Sequence, residues 1–475
     1  MEFNVKRAIY SAVPLPLKRL VRLVPFSWWA GPAYRRTMAR LGAFDRASRA
    51  EIEAYQEREL GAMLDFATDQ VPAYRPLRAA VERHRPFDAL REFPFLDKET
   101  VLAGIERYLP RDFAMIPHYE ISTGGTSGRQ MTFFVDDVSQ SVETAFVHRL
   151  WTRVGHRPGS RKATFRGVPF PNLPPDVYWQ ENPIFNELQY SPYHMTEDTL
   201  PFYVERMILD ASPYLYGYPS AIDYVAGYIL RHRLEESLPE IHAAFLISEA
   251  CSEEQRARIE AAFRTRVFSF YGHSERLILA GECERTTVYH HFPDYGVLEI
   301  VAEDGSPCDE PGDRGELVGT GLLNRSMPLI RYRTGDWATR REHACECGRC
   351  WDRFSDVLGR WKQEFVIGAG GEEISVAAMN VHGSVFENVA RYQYHQSEPG
   401  ALVVRVVPTP AFTDGDRARI ESAYAEKAGR ALLIEVAVVD EIPLTARGKL
   451  KLLDSILEAP SEGPERPLSG DSRDG

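Results

Sequence analysis

No apolar run in the 475 residues approaches the ~20 needed to span a bilayer. Lys6–Arg7 are followed only by a short, proline-interrupted apolar stretch, so no secretory signal is read and a cytoplasmic protein is expected. Cysteine is scarce: six residues, which a cytoplasmic chain keeps reduced, so any clustering points to metal or chance before disulfides. Positive charge is outweighed, with 56 basic against 68 acidic side chains and a net charge of −12, which argues against a general nucleic-acid binder. There are no internal repeats. What remains is a 44% hydrophobic chain, long enough for a large core and more than one domain.

Charge is uneven. Residues 1–44 carry eight basic side chains and one acidic, interleaved with Leu15, Leu17, Leu20, Leu23, Phe26, Trp28 and Trp29. Such a segment suits peripheral contact with an anionic membrane surface. It equally suits packing its apolar side on the main domain, and Pro14, Pro16 and Pro25 favour that by interrupting any long amphipathic helix.

Residues 47–72 are predicted helical, with Leu60, Met63, Leu64 and Ala67 on one face. Ser252 and Gln255 form a capping box for a helix to about Phe263, and Val267–Phe270 follows as a buried strand. From about 296 to 340 the pattern turns strand-rich, which predicts a β unit appended to an α/β body. Beyond Gly359 come a Gly370-Gly371 turn, the strand ALVVRVV, a helix from about Asp416 to Gly429 and the strand LLIEVAVV. The expected organisation is a basic segment at 1–45, a body at 46–358, a small lid at 359–458 and a disordered tail at 459–475.

Between two predicted strands stands ISTGGTSGRQMTFFV, residues 121–135. Gly124, Gly125 and Gly128 let a ligand approach the main chain. Ser122, Thr123, Thr126 and Ser127 supply donors, and Arg129 supplies charge. The combination suits a polyphosphate, and it also suits a polar hairpin turn. It is not a Walker A loop, because no Gly-Lys-Ser/Thr follows.

Four more stretches follow: YGHSE at 271–275, RYRTGD at 331–336, GRWK at 359–362 and PLTARGK at 443–449. Each alone is weak. In this order and spacing, from about residue 50 to 455, the set resembles the adenylate-forming superfamily. It is most similar to the phenylacetate–coenzyme A ligase family, including members linked to capsular polysaccharide loci. The resemblance implies an α/β fold: a large N-terminal adenylate-forming domain with mixed sheets and a β-rich unit, plus a small α+β C-terminal lid. It also implies ATP, Mg²⁺ and coenzyme A as cofactors, with a small carboxylic acid, expected to be aromatic, as substrate.

In such an enzyme a carboxylate attacks the α-phosphorus of ATP, and both reactants are anions. Positioning and charge neutralisation therefore supply most of the rate. By resemblance, Ser122, Thr123, Gly124, Gly125, Thr126, Ser127, Gly128 and Arg129 cradle the phosphates. Tyr271, beside Gly272 and Ser274, stacks on adenine, Glu275 holds Mg²⁺, and Asp336 accepts from the ribose hydroxyls. Arg360 reaches in from the hinge, and Lys449 bridges carboxylate and α-phosphate. Lys362 or Gln363 is the expected pivot of the lid. Two departures from the family pattern stand out. The loop ends Gly-Arg-Gln where Gly-Lys-Pro is usual, and LISEA replaces a glycine-rich adenine contact, with Glu249 matching.

CECGRC places Cys345, Cys347 and Cys350 together, and GECERTTVYHHFPD upstream holds Cys283, His290 and His291. Cys-x-Cys is tighter than common zinc spacings. Relatives of the same ligase family show both stretches, and that resemblance implies a structural zinc held by Cys283, His290, Cys345 and Cys347. His291 and Cys350 stand as alternative ligands. For the acid, Phe133, Phe134, Phe170, Tyr216, Tyr218, Phe268 and Phe270 are candidate walls or simply core, with Phe270 and His273 the residues expected to face the substrate. The acceptor is coenzyme A, or alternatively an amine, a sugar or a carrier-protein thiol in a biosynthetic pathway. A homo-oligomer is left open.

Overall fold

The computed structural model describes residues 24–122, 131–168, 170, 174, 176–359, 364–376, 378–379, 381, 384–443 and 452–457. Local signals act where they stand in the sequence. Ser48 and Glu51 form a reciprocal capping box that opens the helix Arg49–Gln70, and its Leu60, Met63, Leu64 and Ala67 are all buried. Ser252 and Gln255 do the same for Glu253–Phe263. Of the basic segment, the described part forms the helix Phe26–Phe44, which begins directly after Pro25 and breaks its helical geometry at Gly31 (φ 81°) ahead of Pro32. Phe26, Trp29, Ala30 and Tyr34 pack with Ala145 and Ile184 of the body. Arg40 pairs with the buried Asp294 at 3.0 Å. Among the described residues no helix is long and apolar enough to cross a membrane.

One sheet of twelve strands dominates. Its order is Gly296–Val301, Arg314–Gly321, Tyr332–Arg341, Arg353–Leu358, Tyr289–His291, Leu279–Gly281, Val267–Gly272, Ala243–Leu246, Tyr214–Gly217, Lys162–Phe165, Glu187–Tyr190 and Trp179–Asn182. The predicted β unit is therefore not a separate appendage, and Val267–Gly272 is the reason. Its first half, Val267–Ser269, pairs in parallel with Ala244–Leu246. Its second half, Phe270–Gly272, pairs antiparallel with Leu279–Gly281. Six residues thus belong to the α/β set at one end and to the antiparallel set at the other.

Helices cover both faces of the parallel part. Leu200–Asp210, Pro219–Arg231 and Glu253–Phe263 pack on one side, and Ser139–Thr152 on the other. The C-terminal region forms a four-stranded sheet in the order Leu433–Val438, Ala401–Pro408, Val389–Gln396, Leu453–Ser455. The helix Asp414–Ala428 packs with it, opened by a Thr413–Asp416 capping box. This small α+β region docks on the body: Val366, Ile374, Tyr394 and Tyr424 share one apolar cluster with Phe165, Tyr190 and Leu246. Across the seam the Tyr193 hydroxyl donates to the Ala378 carbonyl at 2.8 Å.

Candidate nucleotide site and metal cluster

In open α/β sheets the crevice beyond the carboxyl ends of the parallel strands is the usual binding place. Here Tyr271 and Gly272 end one such strand. The Tyr271 hydroxyl donates to Asp336 Oδ2 at 2.8 Å, joining YGHSE to RYRTGD. Asp336 is aimed by its own neighbours. Gly335 has φ +77°, a left-handed conformation suited to glycine, and its N–H donates to Glu316 Oε1 at 2.8 Å. Arg333 grips the same Glu316 at 2.6 Å. Thr334 Oγ1 accepts from the Asp336 N–H at 3.1 Å and donates to the Leu317 carbonyl.

Glu275 is buried yet well supplied. Tyr332, the tyrosine of RYRTGD, donates to its Oε1 at 3.0 Å. His273 Nδ1 lies 3.1 Å from its Oε2, while His273 Nε2 accepts from the Ile278 N–H at 3.2 Å. That backbone donor assigns the ring proton to Nδ1, so the imidazole donates to the carboxylate. Burial pushes the Glu275 carboxyl up, but the hydrogen bonds from His273 and Tyr332 outweigh it and hold the pKa at about 2. Both nitrogens of His273 are thus engaged within the protein. Ser274 is half-buried, and Gly272 is exposed.

The glycine loop springs from a hairpin, as its flanks predict. His118–Ser122 pairs antiparallel with Thr132–Asp136, with Ser122 opposite Thr132. Ser122 is buried at its root. Thr123, Gly124, Gly125, Thr126, Ser127, Gly128, Arg129, Arg360, Lys362, Gln363 and Lys449 lie outside the described residues. Arg276, which no motif singled out, ties the hairpin to the site. It directly follows Glu275, has φ +57°, and donates to Tyr119 Oη at 3.3 Å, Ser139 Oγ at 2.5 Å and Gln140 Oε1 at 3.1 Å. A polar residue immediately after a catalytic-type Glu was the available signal.

Other expected residues fall differently. Phe133 is fully buried core and Phe134 packs edge-on against Phe113. Phe270, Phe268 and Tyr216 lie on the sheet face that carries Trp151 and Phe245. Glu249 donates nothing and accepts from the Ser220 N–H at 3.1 Å and from the Ser375 hydroxyl of the C-terminal region.

At the far end of the antiparallel set, Cys283, His290, Cys345 and Cys347 bring one ligand atom each to within 4.8 Å of the others. Cys283 Sγ and Cys345 Sγ are 3.8 Å apart, and Cys347 Sγ is 3.5 Å from His290 Nε2. A tetrahedral zinc with ordinary bond lengths has S···S edges of about 3.8 Å and S···N edges of about 3.6 Å. His290 Nδ1 contacts the Val288 carbonyl at 3.0 Å, which turns Nε2 inward as a ligand. His291 and Cys350 are outside this group.

A family model described as the CapK C-terminal domain matches residues 366–455. Protein CapK of Staphylococcus aureus is 27% identical over 252 residues, 52% of this chain and 53% of its own length. The chain thus spans about half of CapK. Phenylacetate-coenzyme A ligase of Thermus thermophilus is 25% identical over 332 residues, covering 67% of this chain and 72% of that one. Among solved structures, 2-hydroxyisobutyryl-CoA ligase in complex with 2-HIB-AMP and CoA in the thioesterification state aligns with a TM-score of 0.55. The identity is 17%, covering 86% of this chain and 91% of that one. The same ligase in its postadenylation state with 2-HIB-AMP gives a TM-score of 0.53 at 17% identity, over 86% and 90%.

The chain is a homologue of CapK and of phenylacetate–coenzyme A ligase, with the adenylate-forming fold. For this homologue the Tyr271–Asp336 bond joins the two motifs that carry the family resemblance.

Proposed function

We propose that this chain uses Mg-ATP to convert a small carboxylic acid to its acyl-adenylate, releasing pyrophosphate, and then passes the acyl group to the thiol of coenzyme A with release of AMP. The observation that carries it is the Tyr271–Asp336 bond beside a buried, ionised Glu275, at the carboxyl ends of the parallel strands. Tyr271 offers a ring face for adenine and Asp336 a carboxylate for the ribose hydroxyls. Residues 122–129 would hold the phosphates, Arg360 would reach them from the hinge, and Lys449 would hold the attacking carboxylate against the α-phosphorus.

Glu275 fits a hard divalent cation: an anionic oxygen donor whose protonation at neutral pH is excluded by its two hydrogen-bond donors. Magnesium there would neutralise charge on the departing pyrophosphate. The named complexes of 2-hydroxyisobutyryl-CoA ligase with acyl-AMP and CoA support coenzyme A as the acceptor. We also read Cys283, His290, Cys345 and Cys347 as a closed structural zinc site, which the 3.8 Å and 3.5 Å spacings support.

The test is pyrophosphate release from Mg-ATP across aryl and aliphatic acids, with and without coenzyme A. Release that needs an acid and turns over only with coenzyme A is expected. A stoichiometric burst that coenzyme A does not relieve would reassign the acceptor, and no release with any acid would remove the reading.

A further inference from the structure

Arg166 follows the parallel strand Lys162–Phe165, one position beyond its end. The register aligns Phe165, Gly217, Leu246 and Ser269 across four neighbouring strands. Alternation then places Arg166 on the sheet face of Tyr216, Phe268 and Phe270, at the same carboxyl edge as Tyr271. It is a cation with little to answer it. Nη1 donates to Tyr216 Oη at 3.2 Å, and the guanidinium lies 5.3 Å from the centre of that ring. Tyr218 is its other hydrogen-bonding partner. Its Nε is buried and has no hydrogen-bond partner among the described residues. Among the described residues no carboxylate forms an ion pair with it, and the nearby Glu187 already faces Lys162 at 3.8 Å.

The seam with the C-terminal region adds a second cation rather than an anion. A Cβ on Gly167, the next residue, would come within 2.7 Å of the Ala378 carbonyl, so the two regions touch there. Lys427 donates to that same carbonyl at 3.0 Å. Burial first, and then Arg166, pushes the Lys427 ammonium down to about 8. The positive charge of Lys427 adds to that of Arg166 on the facing element, which makes the place favourable for an anion that meets the guanidinium.

We infer that Arg166 is the specificity group of the acid pocket, and that the acid carries a second carboxylate which the guanidinium receives while the first is activated. Lys427 stands on the docked region as a second positive charge beside it. This rests on the adenylation reading and names the substrate class within it: a dicarboxylic acid whose spacer lies along Tyr216, Phe268 and Phe270. Selection follows because a mono-acid leaves the buried donor unpaired, and a hydrogen bond to a charged group separates the two acids by about 10–100-fold.

The experiment uses the full chain and two matched pairs, 1,4-phenylenediacetate against phenylacetate and adipate against hexanoate. Acid-dependent ATP–pyrophosphate exchange gives kcat/KM, and calorimetry gives binding. We expect the dianionic member to be preferred by about 10–100-fold in at least one pair, and Arg166→Gln to bring that ratio to within about threefold of one. Arg166→Lys should restore part of it, and Lys427→Met, on the facing helix, should lower it even where Arg166→Gln fails to fold. Preference for the mono-acids, or a ratio unchanged in both Arg166→Gln and Lys427→Met, overturns the inference. Calorimetric binding of the dicarboxylate without any exchange would remove the adenylation reading while leaving the anion site standing.

Discussion

Two polar clusters hang on the same antiparallel strands, and they are built in opposite ways. Around Glu275 the donors and acceptors answer one another: Tyr332 and His273 to Glu275, Ile278 N–H to His273, Tyr271 to Asp336. Around Cys283 they do not. Thiols are weak donors, so a 3.8 Å S···S contact and a 3.5 Å S···N contact gain little as hydrogen bonds. The first cluster is held by its own hydrogen bonds, which suits a site whose groups are fixed for binding substrates. The second brings four candidate ligand atoms within 4.8 Å of one another, the spacing a bound ion would need.

The largest expected effect tests the second cluster. Purified protein should hold about one equivalent of zinc. Cys345→Ser with Cys347→Ser should abolish that and lower stability by about 5 kcal/mol or more, since structural zinc binding is folding free energy. Metal analysis and thermal melts measure both. Careful preparations without zinc, or an unchanged melting temperature in the double variant, would leave the four side chains as reduced thiols beside a core histidine.

Next in size is Lys449→Ala. Losing a preorganised charge from a phosphoryl-transfer site costs about 10²–10³ in rate, and adenylate formation should fall by that much while melting of the body is unchanged. Activity within a few-fold of the parent would sink the role of this lysine.

The sequence made some of this legible and hid the rest for physical reasons. The capping box at Ser252 and the hairpin under the glycine loop depend on neighbours in the chain, and they were read; the box at Ser48 is equally local and was missed. Tyr271 and Asp336 were readable because their motifs have a fixed order, and the 2.8 Å bond between them brings those motifs together. The double allegiance of Val267–Gly272 was not, because a six-residue apolar strand says nothing about which partner pairs with which half. Tyr332 had no role of its own in the motif reading, and only the fold turns it onto Glu275. His273 was expected to face the acid, but its two ring nitrogens meet Ile278 N–H and Glu275, which no spacing rule specifies. Arg166 carries no motif at all. Its interest comes from four aligned strands and a carbonyl more than 200 residues away.

The self-answering character of the Glu275 cluster predicts smaller, separable losses when single donors are removed. Tyr332→Phe leaves Glu275 with one donor fewer, worth about 1.5–3 kcal/mol for a bond to a charged group. It should lower kcat/KM about 10–100-fold and raise the magnesium concentration needed for half-maximal rate. An unchanged magnesium dependence would mean that Tyr332 only packs.

Tyr271→Phe should do least. It keeps the ring that would meet adenine and deletes only the hydroxyl that donates to Asp336 at 2.8 Å. Because Asp336 is also oriented by the Thr334–Gly335 turn, its position should survive. The expected change is an increase in KM for ATP of about 3- to 10-fold with kcat within about twofold, since one hydrogen bond contributes about 1 kcal/mol. Tyr271→Ala, which removes the ring as well, should raise KM much further. If the two variants behave alike, the hydroxyl and not the ring face is what the nucleotide depends on, and the stacking role assigned to Tyr271 would be lost.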